Sequence, residues 1–243
     1  MYHKHIFYIF ILEFLKLIVM RYILILCFIL VSLSVFSQRT ITRDVGSFDE
    51  LKVYDLLRVN LILSDRNKIT IKGSNIDDVK IINKNGKLKI RMETGTRFEG
   101  EDTIINLYFS SVAAIDVNEG ASIICKEVIK RDEIELRAQE GGKIKVGLDV
   151  DRVVTKAVSG GIVEVFGKAH NQNIKLNSGG IFKGRELITR TTEVGITAAG
   201  VADIYASEKV KIRIKAGGDV NVYGNPNEID DKKLAGGRIK IMN

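Results

Sequence analysis

Nucleophilic triads and zinc sites both need histidine, and this chain has only His3, His5 and His170. His170 is next to Asn171 in what reads as a loop, so a solvated imidazole is expected there, not a base or a metal ligand. Cys125 falls in an apolar row with Val146 and Val165. That predicts a buried structural thiol, because a reactive thiolate needs an exposed, electropositive setting. Cleavage of acidic glycans needs two or three carboxylates converging on one face. The outward acids Glu135, Glu164, Glu193, Asp203, Asp219 and Asp230 instead fall on three separate rows of the repeat described below. No catalytic residue, cofactor or metal is therefore expected, and a polysaccharide lyase or glycoside hydrolase is the alternative reading.

The remaining chemistry is that of binding. Four residues before successive Gly pairs stand Asp116, Arg137, Lys156, Lys175, Gly195, Arg213 and Lys232. Stacked like charges repel, so this row does not serve stability. Arg137, Lys156, Lys175, Arg213 and Lys232 are the candidate ligand contacts, set against the plainer reading of a solvated charged face. One residue past the pair, Ile162, Ile181 and Val201 recur in consecutive copies and form a candidate apolar contact patch.

These positions are organised by a repeat. Gly141–Gly142, Gly160–Gly161, Gly179–Gly180, Gly217–Gly218 and Gly236–Gly237 recur, with Gly120–Ala121 and Ala199–Gly200 as variant copies. The steps are 21, 19, 19, 20, 18 and 19 residues. Five and three residues before each pair, and two and four after it, the side chains are mostly apolar: Leu136 and Ala138, then Ile144 and Val146, then Ile174 and Leu176. Period-2 alternation sends these inward. No single copy can bury such a face, so the copies must stack as coils with parallel pairing at roughly 4.8 Å. The fold class predicted is all-β, a parallel β-helix (β-solenoid) with strand, Gly turn, strand and loop in each coil of about 19 residues. The lack of a strict hexapeptide pattern favours the right-handed form. A corner stacked at strand spacing suits glycine both for positive φ and for lack of room.

The composition agrees: 22 Gly, one Pro, no Trp and 45% hydrophobic residues in short alternating runs, which read as strands joined by Gly turns. From Met20 the chain has a short basic stretch, an apolar run over residues 23–35 and, before Gln38, Val35 and Ser37 at the two positions a signal cleavage site restricts. This reads as a signal peptide over 20–37 cleaved after Ser37, with 1–19 an upstream extension. Export to the periplasm, outer-membrane surface or medium follows, with membrane contact only through that segment. Cys125 is then the one cysteine left, so no internal disulfide is expected. The net charge of +7 comes without a dense basic run interleaved with aromatics, which excludes nucleic acid and leaves anionic envelope polymers. Residues 38–112 are strand-like but less regular, with an Asn85–Gly86 turn. They are expected to continue or cap the solenoid whose regular coils fill 113–243. The last copy ends with Ile239 and Ile241 still in inward phase, an unpaired edge through which homo-oligomers are expected.

The ordered set FDELKVYDLLRVNLIL, KLKIRM, AAIDVNEGAS and the Gly-pair coils resembles the auto-transporter adhesin head GIN domain family over roughly residues 43–225. The resemblance implies an exported parallel β-helix of Gram-negative envelopes and supplies no catalytic residues. The function expected is noncatalytic and adhesin-like, binding an anionic glycan or an envelope protein along the rod.

Overall fold

The computed structural model describes residues 14–25 and 39–242, in two separate units, 1–38 and 39–243. In the first, residues 14–25 are helical and exposed. Among the described residues no helix is long and apolar enough to cross a membrane. Most of the expected signal segment, residues 26–37, lies outside the described residues.

In the second unit alternation sets the architecture. Strands β1 (Thr40–Asp44), β2 (Glu50–Val53), β3 (Arg58–Leu63), β4 (Lys68–Gly73), β5 (Val79–Lys84), β6 (Lys87–Met92) and β7 (Thr103–Phe109) make its N-terminal part. They are followed by β8 (Ala114–Val117), β9 (Ser122–Ala138), β10 (Lys143–Val158), β11 (Ile162–Asn177) and β12 (Gly180–Ala198). The C-terminal coils are β13 (Gly200–Tyr205), β14 (Lys209–Ala216), β15 (Asp219–Tyr223), β16 (Glu228–Ala235) and β17 (Arg238–Ile241). The result is a parallel β-solenoid of about 7 turns.

β10 shows how one coil is built. Ile144, Val146, Leu148 and Val150 are buried, the exposed pair Asp151–Arg152 shifts the phase by one, and Val153, Thr155 and Ala157 are buried again. β10 pairs in parallel with β11, Lys143 opposite Ile162 through to Val158 opposite Asn177. The expected loop in each coil is therefore a correction for β9 to β12. These are continuous strands bent at a polar corner, because the coils above and below supply partners for the corner backbone. His170 sits on such a strand, not in a loop.

The uneven steps are absorbed locally. Cys125 opposes Val146 and Val128 opposes Gly147, so Lys126 and Glu127 are extra. A further shift between Glu164 and Phe166 accommodates the added residue of β12. Both are bulges, which bend a strand without ending its pairing.

The Gly pair has two separate causes. Ser159 and Gly160 are both left-handed, with φ 49° and 74°, and the same holds at Glu140–Gly141 and Ser178–Gly179. The second glycine is not left-handed there. A Cβ on Gly161 would fall well inside van der Waals contact of the Ala138 carbonyl oxygen in the coil before it.

The N-terminal strands stack out of chain order. β2 lies between β6 and β8, and β3 between β7 and β9, all in parallel. The first coil in sequence is therefore flanked by later strands on both sides. Beyond it, β4 runs antiparallel to β7, β1 antiparallel to β4, and β5 antiparallel to β6 across the Asn85–Gly86 turn. One hydrophobic cluster runs through the coils from Val45 to Val222. Each buried Val, Leu, Ile or Phe side chain contributes about 1.5 to 3 kcal/mol. At the other end β16 pairs along β14 although its inward positions hold Asp231 and Lys233, and all but one of its residues are exposed.

Candidate functional site

Parallel pairing brings the basic row together as a ladder. Lys52, Asp116, Arg137, Lys156, Lys175, Gly195, Arg213 and Lys232 are register neighbours in that order. The ladder divides electrostatically into three parts. At its N-terminal end Asp116, 3% exposed, takes Lys52 Nζ at 2.9 Å and the amides of Asn118 and Gln139 at 2.9 and 3.2 Å. Burial works against the charged Lys52 ammonium, but Asp116 and Glu50 outweigh it and the net shift is upward. Arg137 joins this network: Nε donates to Glu135 at 2.6 Å, and Nη1 lies 3.4 Å from Glu50 and 3.9 Å from Asp116.

Toward the C-terminal end Arg213 Nη2 donates to Asp230 Oδ2 at 2.6 Å and Nη1 to the Asp230 carbonyl at 3.0 Å. Arg137 and Arg213 are therefore neutralised. In the middle, Lys156 and Lys175 are adjacent, exposed and, among the described residues, without an ion-pair partner. They border a groove of about 400 Å³ that Ser159, Asn177 and Thr197 also line. Gly195, next in the ladder, is not left-handed, and a Cβ there would meet only the Ile174 carbonyl oxygen at an ordinary van der Waals distance of 3.9 Å. The backbone does not require it, and its effect is to interrupt the row of charged side chains after Lys175. Lys232 is exposed on β16.

The apolar ladder also forms. Ile162 opposes Ile181 and Ile181 opposes Val201, the first two half-buried and Val201 exposed. It lies just past the Gly corners, whereas the basic ladder lies just before them.

The acids noted in the sequence are each engaged. Glu164 pairs with Lys145 at 2.7 Å, Glu193 with Lys211 at 2.9 Å and Asp219 with Arg238 at 2.7 Å, while Asp203 accepts from Asn221 at 2.7 Å. His170 Nδ1 is 2.8 Å from Asp151. Cys125 is fully buried, and burial pushes its thiol up to about 12.

The out-of-order coil creates one juxtaposition that sequence reasoning missed. Asp55 and Glu119 occupy equivalent corners of neighbouring coils, 64 positions apart in sequence. Asp55, 2% exposed, accepts the Met92 N–H at 3.0 Å, and Arg97 reaches Glu119 at 2.9 Å and Asp55 at 3.8 Å. Burial first, and then the Asp55 carboxyl, push Glu119 upward. Only the left-handed Asp55–Leu56 corner matching Glu119–Gly120 could have signalled this.

A family model described as "Putative auto-transporter adhesin, head GIN domain" matches residues 47–226. Among solved structures, a putative adhesin from Bacteroides fragilis aligns with TM-score 0.77 and 17% identity, covering 85% of this chain and 98% of that one. A putative adhesin from Parabacteroides distasonis aligns with TM-score 0.69 and 16% identity over 84% and 96% of the two chains. A putative lipid binding protein from the same species gives TM-score 0.62 and 16% identity over 86% and 98%. At these identities the likeness is one of fold. No curated protein matches the chain.

Proposed function

Because this chain belongs to the auto-transporter adhesin head GIN domain family, we propose that it is an exported, noncatalytic rod that holds an anionic envelope polymer, a glycan, against its lysine face. Residues 20–37 direct the export. The observation that supports this reading is the unneutralised pair Lys156 and Lys175. Cations one strand apart, at roughly 4.8 Å, repel and lower stability. Their neighbours Arg137 and Arg213 in the same ladder are given carboxylates, and these two are not. A polyanion supplies the missing counter-charge and gains on-rate from the field.

Glycan cleavage fits less well. A retaining hydrolase holds its two carboxyls about 5 to 5.5 Å apart, and an inverting one further. Asp55 and Glu119 interact directly, and the Met92 N–H ties Asp55 down.

The test is retention on an immobilised acidic glycan, with assay for released reducing ends. Lys156→Glu with Lys175→Glu should abolish retention and flatten its salt dependence, with the melting temperature little changed because the stacked glutamates repel as the lysines do. Arg137 is left intact because Asp116 depends on it. Unchanged retention by the double variant, or release of reducing ends by the wild type, would overturn the proposal.

A further inference from the structure

A larger groove, of about 730 Å³, runs along the polar corners of β9 to β12. That volume is in the range of small-molecule sites. The row beneath it consists of Arg131, Val150, Ala169 and Thr189, register neighbours in successive coils. Val150, Ala169 and Thr189 are each 5% exposed or less. Where the later coils place a small buried side chain, β9 places an arginine. Arg131 as a whole is only half-buried, but its Nε and Nη1 are shut off from solvent and have no acceptor among the described residues. A charged donor withdrawn from water without a partner is costly, and a planar guanidinium is best relieved by the two oxygens of a carboxylate or similar anion.

The rest of the lining narrows the choice of anion. Of the rim cations, Lys168 is paired with Asp149 at 3.4 Å and Arg190 with Glu208 at 2.7 Å, and Lys130 alone is exposed without an ion-pair partner among the described residues. Asp132, exposed and without an ion-pair partner among the described residues, lines the groove with Asp149 and Asp151, and three carboxylates would repel a ligand dense in sulfate or phosphate. They would accept hydrogen bonds from hydroxyl groups. Ile188, 49% exposed on the same wall, offers an apolar surface to a sugar ring. Stacked coils repeat such positions every ~4.8 Å along the axis, which suits a ligand that is itself a chain.

We propose that this corner groove is a binding site for a uronate-bearing oligosaccharide, its carboxylate held by Arg131 and its hydroxyls by Asp149 and Asp151. The site is separate from the lysine face and stands whether or not that face binds a polymer.

The test is calorimetric titration of the purified full chain with a galacturonate trimer, a neutral galactose trimer and a heparin-derived sulfated oligosaccharide. Saturable binding of the uronate trimer alone is expected, weakened about tenfold or more by Arg131→Gln. Because Arg131 is partly buried, the exposed Ile188→Glu serves as a second variant, and it should weaken binding at least as much without lowering the melting temperature. Lys156→Glu with Lys175→Glu should leave this affinity unchanged. No saturable binding by the wild type would overturn the proposal. So would wild-type affinity in either groove variant, equal or tighter binding of the sulfated ligand, or loss confined to the lysine-face variant.

Discussion

Gly160 and Gly161 are adjacent, and they are glycines for different physical reasons. Gly160 is left-handed with open space around it, whereas Gly161 lies against the backbone of the preceding coil. An alanine at Gly160 meets only the left-handed strain, about 1 to 2 kcal/mol, and asparagine there costs less. An alanine at Gly161 must push a coil away from its neighbour, which costs on the order of 3 kcal/mol or more. Thermal melts should rank Gly160→Asn, Gly160→Ala and Gly161→Ala in falling order, and equal melting of the two alanine variants would refute the assignment. The pair was legible in the sequence because it recurs, but the separate roles were not, since both call for the same residue. Glu119 supports a pH prediction. Its folded pKa is raised, so it stabilises the fold when protonated, and that contribution is lost as pH rises from the unfolded value through the folded one. Glu119→Gln should therefore melt no lower than wild type at pH 7, with the difference shrinking toward pH 4. A variant several degrees less stable at pH 7 would show that the Arg97 pair outweighs burial.

At the scale of the element, a coil that departs from 19 residues keeps its inward rows stacked by placing the excess outside, one residue in β12, where Arg185 and Glu186 are both exposed between Gly184 and Leu187, and two in β9. Lys126 and Glu127 are extra against β10, and because they are two, Cys125 stays inward and Ile129 resumes the inward row without a change of phase. Deleting both residues should leave the melting temperature within a few degrees. Deleting Lys145 and Val146, which have partners on both sides, should unfold the coil. Comparable loss in the two deletions would mean that the excursion is built into the packing. The 21-residue step was visible in the sequence. The place of the excess was not, because Lys126-Glu127 continues a plausible strand. Pairing across coils locates it. The polar corner escaped for a related reason: Asp151–Arg152 reads as a loop until neighbouring coils are present to take its hydrogen bonds.

At the scale of the molecule, the stacking order could not be read from the chain. β6 and β8 alternate in the same phase as β2, and no local feature says that β2 lies between them. That intercalation has a mechanical consequence. β2 and β3 are hydrogen-bonded on both sides by strands that follow them in sequence, so the N-terminal block can open only by parting long-range pairs. β16 and β17, by contrast, each pair on one side, with β14 and β15, and β16 has almost no buried side chain. Local stability should therefore fall along the stack from the block that holds β3 toward β17. Native-state hydrogen exchange followed by mass spectrometry should show β16 and β17 exchanging first, β13 to β15 next, and β3, β7 and the start of β9 only with global unfolding. Fraying inward of this kind is expected of a solenoid whose neighbours interact pairwise, with the intercalated coil as its fixed end. If β16 and β17 proved as protected as β10 and β11, that gradient would be wrong, and the exposed strands would have to be covered in solution by a second molecule.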